Sequence, residues 1–369
     1  MATHADWDDY HSLFVNDIPL IDARAPIEFS HGSFPTAVNL PLMLDDERAL
    51  VGTCYKQYGN KAAIALGHQL VSGEVKEQRI NAWKEFIRLH PEGCLFCFRG
   101  GLRSQISQLW LAEVGCHYPR IAGGYKAMRH FLVEALASTT ANGAMIVLSG
   151  QTGCAKTQLL QGLHTSIDLE KLANHRGSAF GKRVGGQPSQ IDFENGLAIA
   201  LLKQRHVNAG LSVVLEDESH LIGRILIPDI VMTAMQNAPL VIIETSLEQR
   251  VEHTYQNYIL DKLNEWQKVF GEQQGFTLFA EELLQGLSNL KRRLGGWRYQ
   301  QLNIQMQAAI AEHIKGNSEG HIDWIMTLLK DYYDPMYRYQ LSRKTERVVF
   351  QGSYLQVREY LLQQEKSTI

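Results

Sequence analysis

Two short stretches hold residues whose types and spacing suit chemistry. The first is CFRGGLRS, Cys97–Ser104. A strand-like run ends at Cys97, a glycine-containing loop follows, and helical spacing begins near Arg103. Such a loop curls backbone N–H groups around the sulfur, and the helix behind it adds partial positive charge. Arg99 and Arg103 bring full charges. All three effects favour the thiolate, the nucleophilic form of cysteine. Cys94 completes a CxxC with Cys97, but no second ligand pair stands at zinc spacing, so Cys94 is expected to pack in the strand.

The second stretch is GQTGCAKT, Gly150–Thr157, directly after the strand-like AMIVL. Gly150, Gly153, Lys156 and Thr157 fit G-x4-G-K-[ST]; Ala155 stands where the pattern has its last glycine, so the backbone there must tolerate a Cβ. Inward N–H groups would cradle phosphates, Lys156 would neutralise them, and Thr157 would offer a hydroxyl to a metal ion such as Mg2+. No metal site is assigned outright, and no tightly bound cofactor is expected. The run LSVVLEDESHLIG carries Glu216, Asp217 and Glu218 to a strand end, where a carboxylate directing such a metal belongs; a solvated acidic strand end is the plainer reading. Gly295–Gly296, after LKRRL, is better explained as a helix C-cap than as another phosphate loop.

These stretches need α/β scaffolds. Strand-like runs at Pro19–Asp22, Cys94–Phe98, Ala144–Leu148, Leu211–Leu215 and Leu240–Ile243 alternate with helical patterns, including Ile191–Leu202. Alternation of this kind predicts parallel sheets in both halves, with a mostly helical stretch after about residue 275. Ser138–Gly143 reads as a linker, which divides the 369 residues into domains at 1–137 and 138–369. The formal charge of −3 gives no global field for nucleic acid, so any RNA contact must be local. Candidate patches are His175, Arg176, Lys182 and Arg183; Lys291, Arg292 and Arg293 with Arg298; and Arg343, Lys344 and Arg347. Tyr332, Tyr333, Tyr337 and Tyr339 are candidates for base stacking. Solvated faces and core packing are the plainer readings of each. Five cysteines, few and odd in number, point to a reducing, cytoplasmic setting. The acidic N-terminus lacks signal-peptide character, and no apolar run is of membrane-spanning length.

PLIDARAPIEFSHGSFPTAVNLP (Pro19–Pro41) and IAGGYKAMRHFL (Ile121–Leu132) resemble the opening and closing signatures of rhodaneses. The spacing Cys97-x5-Arg103-Ser104 also fits the loop of cysteine phosphatases, and the loop is one residue longer than in many sulfur-transferring rhodaneses. Phe96 stands where phosphatases commonly place histidine. A rhodanese-like domain with a parallel sheet, followed by a P-loop NTPase-like α/β domain with a helical C-terminal extension, resembles the tRNA 2-selenouridine synthase family. The likeness runs in order through CFRGGLRS, GQTGCAKT, DLEKLANHRGSAFG, EDESHLIG, ETSLEQRV, KRRLGG and YYDPMYRYQL.

That resemblance implies a transferase that replaces sulfur by selenium in wobble 2-thiouridine of tRNA, with selenophosphate as donor, and that also geranylates the thiouridine. Chemistry joins the two activities. A thiocarbonyl sulfur leaves poorly, whereas S-alkylation from geranyl diphosphate creates an isothiourea from which a thiol departs when selenium attacks. Two other readings stay open: a persulfide sulfurtransferase with an ATP-dependent activating domain, and a nucleotide-gated RNA-binding scaffold. The intact Cys97 weighs against the scaffold.

Overall fold

The computed structural model describes residues 6–366. The chain forms two compact units, one of residues up to Ser138 together with Ser189–His206, the other of Thr139–Pro188 with Val207 onward. Two sequence expectations change here. Ser138–Ala141 is not linker but the last turn of the helix Gly124–Ala141, in which the Ser138 hydroxyl donates to the Ala135 carbonyl at 3.1 Å instead of breaking the turn. The helix Gln190–Val207, expected in the second domain, lies almost wholly in the first unit. There Asp192 accepts from the Ser33 amide at 2.7 Å and Asn195 donates to the Ser33 carbonyl at 2.6 Å.

In the first unit, β1 (Leu20–Asp22) lies between β2 (Ala37–Asn39) and β3 (Cys94–Phe96), all parallel. β1 and β3 are buried along their whole length, as their apolar runs require. The helix Gly73–Leu89 turns Ile80, Trp83 and Phe86 into the core, where they meet Leu95 and Trp110. β3 stops at Phe96, so Cys97 stands at the carboxyl end of a buried strand, where α/β proteins place ligands.

The second unit has a five-stranded parallel sheet. Its strands are β4 (Met145–Gly150), β5 (Ser166–Ile167), β6 (Val213–Glu216), β9 (Leu240–Glu244) and β10 (Val348–Ser353) in the order β10-β9-β4-β6-β5; β7 (Leu221–Ile222) and β8 (Ile225–Leu226) form a separate hairpin. β4 is central and buried at every residue, so Gly150 emerges in the middle of the sheet's carboxyl edge. The mostly helical stretch begins at Leu247, earlier than the sequence suggests, and the C-terminal region is not wholly helical, because β10 returns to pair with β9. Gly295, at φ +76°, caps the helix Glu272–Leu294 with its amide on the Lys291 carbonyl.

Candidate active sites, one in each unit

β4, the loop after it and the helix Lys156–Gln161 build the site of the second unit. Among the described residues, the amides of Thr152, Gly153, Ala155, Lys156, Thr157 and Gln158 donate to no acceptor of the protein. A run of unsatisfied, inward N–H groups is an anion cradle. Gly153 is irreplaceable in it: its φ is +86°, and a Cβ would fall 2.6 Å from the Arg250 carbonyl oxygen and 2.7 Å from Thr254 Oγ1. Ala155 adopts the left-handed conformation (φ +64°) that the usual glycine would supply. The backbone therefore bears a Cβ there at a cost of about 1–2 kcal/mol.

Lys156 Nζ lies 3.0 Å from the Gly150 carbonyl oxygen. Burial works against its charge, but Cys154, Glu218, Glu170 and Asp217 outweigh this and hold it above the ordinary lysine range. Around it stand acids with displaced titrations. Burial, then Asp168 and Glu170, push Glu216 up to about 8, and burial with Glu170 and Glu216 raises Glu218 well above a normal carboxyl. The three predicted acids have separate positions. Glu216 Oε1 accepts from the Glu170 amide at 2.9 Å and its residue does not line the cavity. Asp217 accepts from Ser149 at 2.8 Å and Lys344 at 2.7 Å. Glu218 faces the cavity. No group of three or more metal-ligating side chains exists among the described residues. Thr157 and Glu218 line one cavity, their hydroxyl and carboxyl being oxygen donors of the kind a hard cation takes.

That cavity measures about 1170 Å3. Arg176 NH1, Thr254 Oγ1 and Tyr333 OH, all buried and without partners, belong to residues that line it. Sequence reasoning missed Arg250, which is buried, grips Asp334 at 2.7 and 2.8 Å and braces the loop through the Thr152 carbonyl at 3.3 Å. It also missed Glu170, Lys171 and Tyr258. No spacing rule marks these residues; only their place in the ordered series of stretches DLEKLANHRGSAFG and ETSLEQRV could have found some of them.

In the first unit, β3 delivers Cys97 and the helix Leu102–Glu113 carries Arg103 and Ser104. Cys97 Sγ lies 3.2 Å from Ser104 Oγ. Tyr125 and Lys126 donate their amides to the Cys97 and Phe98 carbonyls at 2.9 and 3.0 Å, which ties the loop to the helix Gly124–Ala141. Among the described residues, the amides from Phe98 to Ser104 find no acceptor. Arg103 is paired with Glu28 at 2.6 and 3.1 Å, and Arg48 holds the same carboxylate at 3.1 Å. Burial disfavours charge on Arg103; Glu28 first, then Cys97 and Asp22, more than offset it. Arg99 is exposed. Cys94 is wholly buried, and desolvation pushes its thiol up to about 12, so it packs as expected. A cavity of about 1160 Å3 opens on Cys97.

Residues 143–368 match the family model described as the tRNA 2-selenouridine synthase AAA domain. Similar proteins named tRNA 2-selenouridine synthase extend the likeness over both units. The one from Hahella chejuensis is 56% identical, covering 98% of this chain and 96% of its own length. Those from Pseudomonas syringae pv. syringae and Azotobacter vinelandii are 54% and 53% identical, covering 96% and 97% of this chain and the same shares of their own. The chain belongs to the tRNA 2-selenouridine synthase family.

The basic patches expected to meet RNA divide in the structure. Arg176 and Arg183 line the Lys156 cavity and share Glu265 at 3.1 and 2.9 Å; Arg293 lines it beside Tyr332. Lys182 is engaged by Glu282, and buried His175 Nδ1 has no partner. Lys291, Arg292 and Arg298 are exposed, the first over the ring of Tyr299. Lys344 serves Asp217, and Arg347 caps the Met235 and Ala238 carbonyls, so neither is free for phosphate. Tyr332, Tyr333 and Tyr337 line the cavity, whereas Tyr339 faces outward under Arg343.

Proposed function

We propose that the chain converts wobble 2-thiouridine in tRNA to 2-selenouridine in two steps, one in each unit. At the Lys156 site the thiouridine sulfur attacks C1 of geranyl diphosphate, and diphosphate departs into the cradle of the free amides of Thr152, Gly153 and Ala155 to Gln158 and the Lys156 side chain. S-alkylation removes the N3 proton of the base, and Glu218, one of four carboxyls that line the cavity, is the group assigned to receive it. Mg2+ bound at Thr157 would neutralise the leaving diphosphate. At the Cys97 site, in a rhodanese-like unit, selenium from selenophosphate displaces the geranylthio group. The RNA enters over Arg176, Arg183 and Arg293, in a cytoplasmic setting.

One observation carries the reading: each unit holds a run of amides without acceptors, one beside a lysine and the other beside a thiol. The first suits release of diphosphate, the second a reaction with a small phosphorus-bearing donor. Nothing in the scheme consumes a nucleotide. The test is a thiouridine-containing anticodon stem-loop incubated with purified protein and geranyl diphosphate, then selenophosphate, without nucleotide. Nucleoside mass spectrometry should show S-geranyl-2-thiouridine and then 2-selenouridine. An absolute requirement for ATP or GTP would overturn the diphosphate reading.

A further inference from the structure

We propose that Cys97 Sγ accepts the phosphoryl group of selenophosphate, and that selenium leaves as hydrogen selenide to attack the base. This rests on selenophosphate being the donor.

Electron balance separates the two roles open to the thiolate. A persulfide carrier takes a sulfur atom that is already oxidised relative to sulfide. Selenium in selenophosphate is at the selenide level and is bound to pentavalent phosphorus. Attack on selenium would leave phosphorus two electrons reduced, as phosphite. Attack on phosphorus is redox-neutral. The new bond is S–P, the P–Se bond breaks, and its electron pair leaves with selenium as HSe−. That ion adds to C2 of the S-geranyl base and expels geranylthiolate, while the selenium-bound proton moves to N3. Water then cleaves the S–P bond, releasing phosphate and the thiolate.

The site is built for the phosphoryl group. Seven residues from Cys97 to Arg103 form the loop, the C-x5-R length shared with cysteine phosphatases. Amides from Phe98 to Ser104 await an acceptor. Arg48, Lys56, Arg99 and Arg103 line the cavity on Cys97 with one carboxylate, Glu28; a fifth cation, Arg24, is already neutralised by buried Asp22 at 2.6 Å. A selenium atom carried on sulfur needs none of these cations; a phosphoryl dianion does. Because Arg48 also holds Glu28, Arg103 can turn to the phosphoryl oxygens without stranding that glutamate. Ser104 Oγ accepts from the Cys97 thiol at 3.2 Å and donates to the Gly101 carbonyl at 3.0 Å; turning its proton from that carbonyl to the sulfur lets it stabilise the thiolate as it leaves phosphorus.

The experiment mixes the full chain with selenophosphate, with and without an S-geranyl stem-loop, quenches in acid and analyses the Cys97 peptide by mass spectrometry. Phosphoryl and selenium adducts have nearly equal mass, so the isotope envelope and stability to thiol reduction tell them apart. The expected adduct has no selenium envelope and survives reduction. Ser104→Ala should accumulate it while selenation slows by about 10-fold, the loss of one hydrogen bond to a charged group. Vanadate, a phosphoryl-transfer mimic, should inhibit selenation of the S-geranyl substrate. A selenium-bearing adduct overturns the proposal, as does 2-selenouridine formation with no phosphoryl adduct in either protein; both leave the two-step function standing. A phosphoryl adduct formed without any 2-selenouridine upholds this inference and sinks the function proposed above.

Discussion

Replacing Lys156 by alanine should cut geranylation by about 10²–10³-fold, the loss seen when one preorganised donor to developing negative charge is removed. The magnitude is consistent with the surroundings. Nζ donates to the Gly150 carbonyl oxygen at 3.0 Å, on the same loop as the free amides, and the magnitude takes a phosphate oxygen about 4 Å from it. At that separation one charge pair is worth about 4 kcal/mol in a partly shielded protein site, or roughly 10³-fold. Against the cost of burial, Cys154 first and then Glu218, Glu170 and Asp217 hold the lysine above its ordinary range, so no proton has to arrive before it acts. The effect should fall mainly on kcat, because charge on the bridging oxygen grows as the C–O bond breaks. Steady-state geranylation of a thiouridine stem-loop gives kcat and KM, and competition by inorganic diphosphate reports ground-state binding. Thermal unfolding of the variant confirms that it is folded. Geranylation within threefold of wild type would refute the reasoning, and a loss confined to KM would show that Lys156 grips the ground state alone.

Cys97→Ser should abolish selenation while S-geranyl-2-thiouridine accumulates in tRNA; nucleoside mass spectrometry checks it, and equal loss of both products would refute the division of labour. Gly124→Ala should disable selenation and spare geranylation, because its Cβ would stand 2.2 Å from the Cys97 carbonyl oxygen and 2.5 Å from the Gly100 amide, at φ +58°. Full selenation by that variant would show that the loop tolerates displacement. Glu216→Gln should flatten the pH dependence of stability. With its carboxyl raised from 4.5 to about 8, folded protein keeps a proton that unfolded chain releases, so this glutamate's contribution declines as pH rises between those values. Melting temperatures at pH 5 and pH 8 should therefore converge in the variant, and an unchanged slope would refute the assignment.

The two reactive loops were legible in the amino-acid sequence alone. Their marks are local: a cysteine after a strand and an arginine six residues on, or a glycine-rich turn ending in Lys156 and Thr157. Backbone geometry within a few residues makes such cradles, so a short window contains the information. The left-handed Ala155 bears this out, since the loop keeps its shape without the expected glycine. Main strands were legible for a similar reason, each being an apolar run of strand length. What long-range pairing controls emerged only in the folded chain. β10 joins the sheet only by meeting β9 about a hundred residues away, and Gln190–Val207 joins the first unit through contacts with Ser33. The fates of charged residues were likewise beyond a local reading. Arg103 meets Glu28, Asp217 meets Lys344, and Arg347 meets two carbonyls, because a charge leaving water takes whichever counter-group the fold brings near.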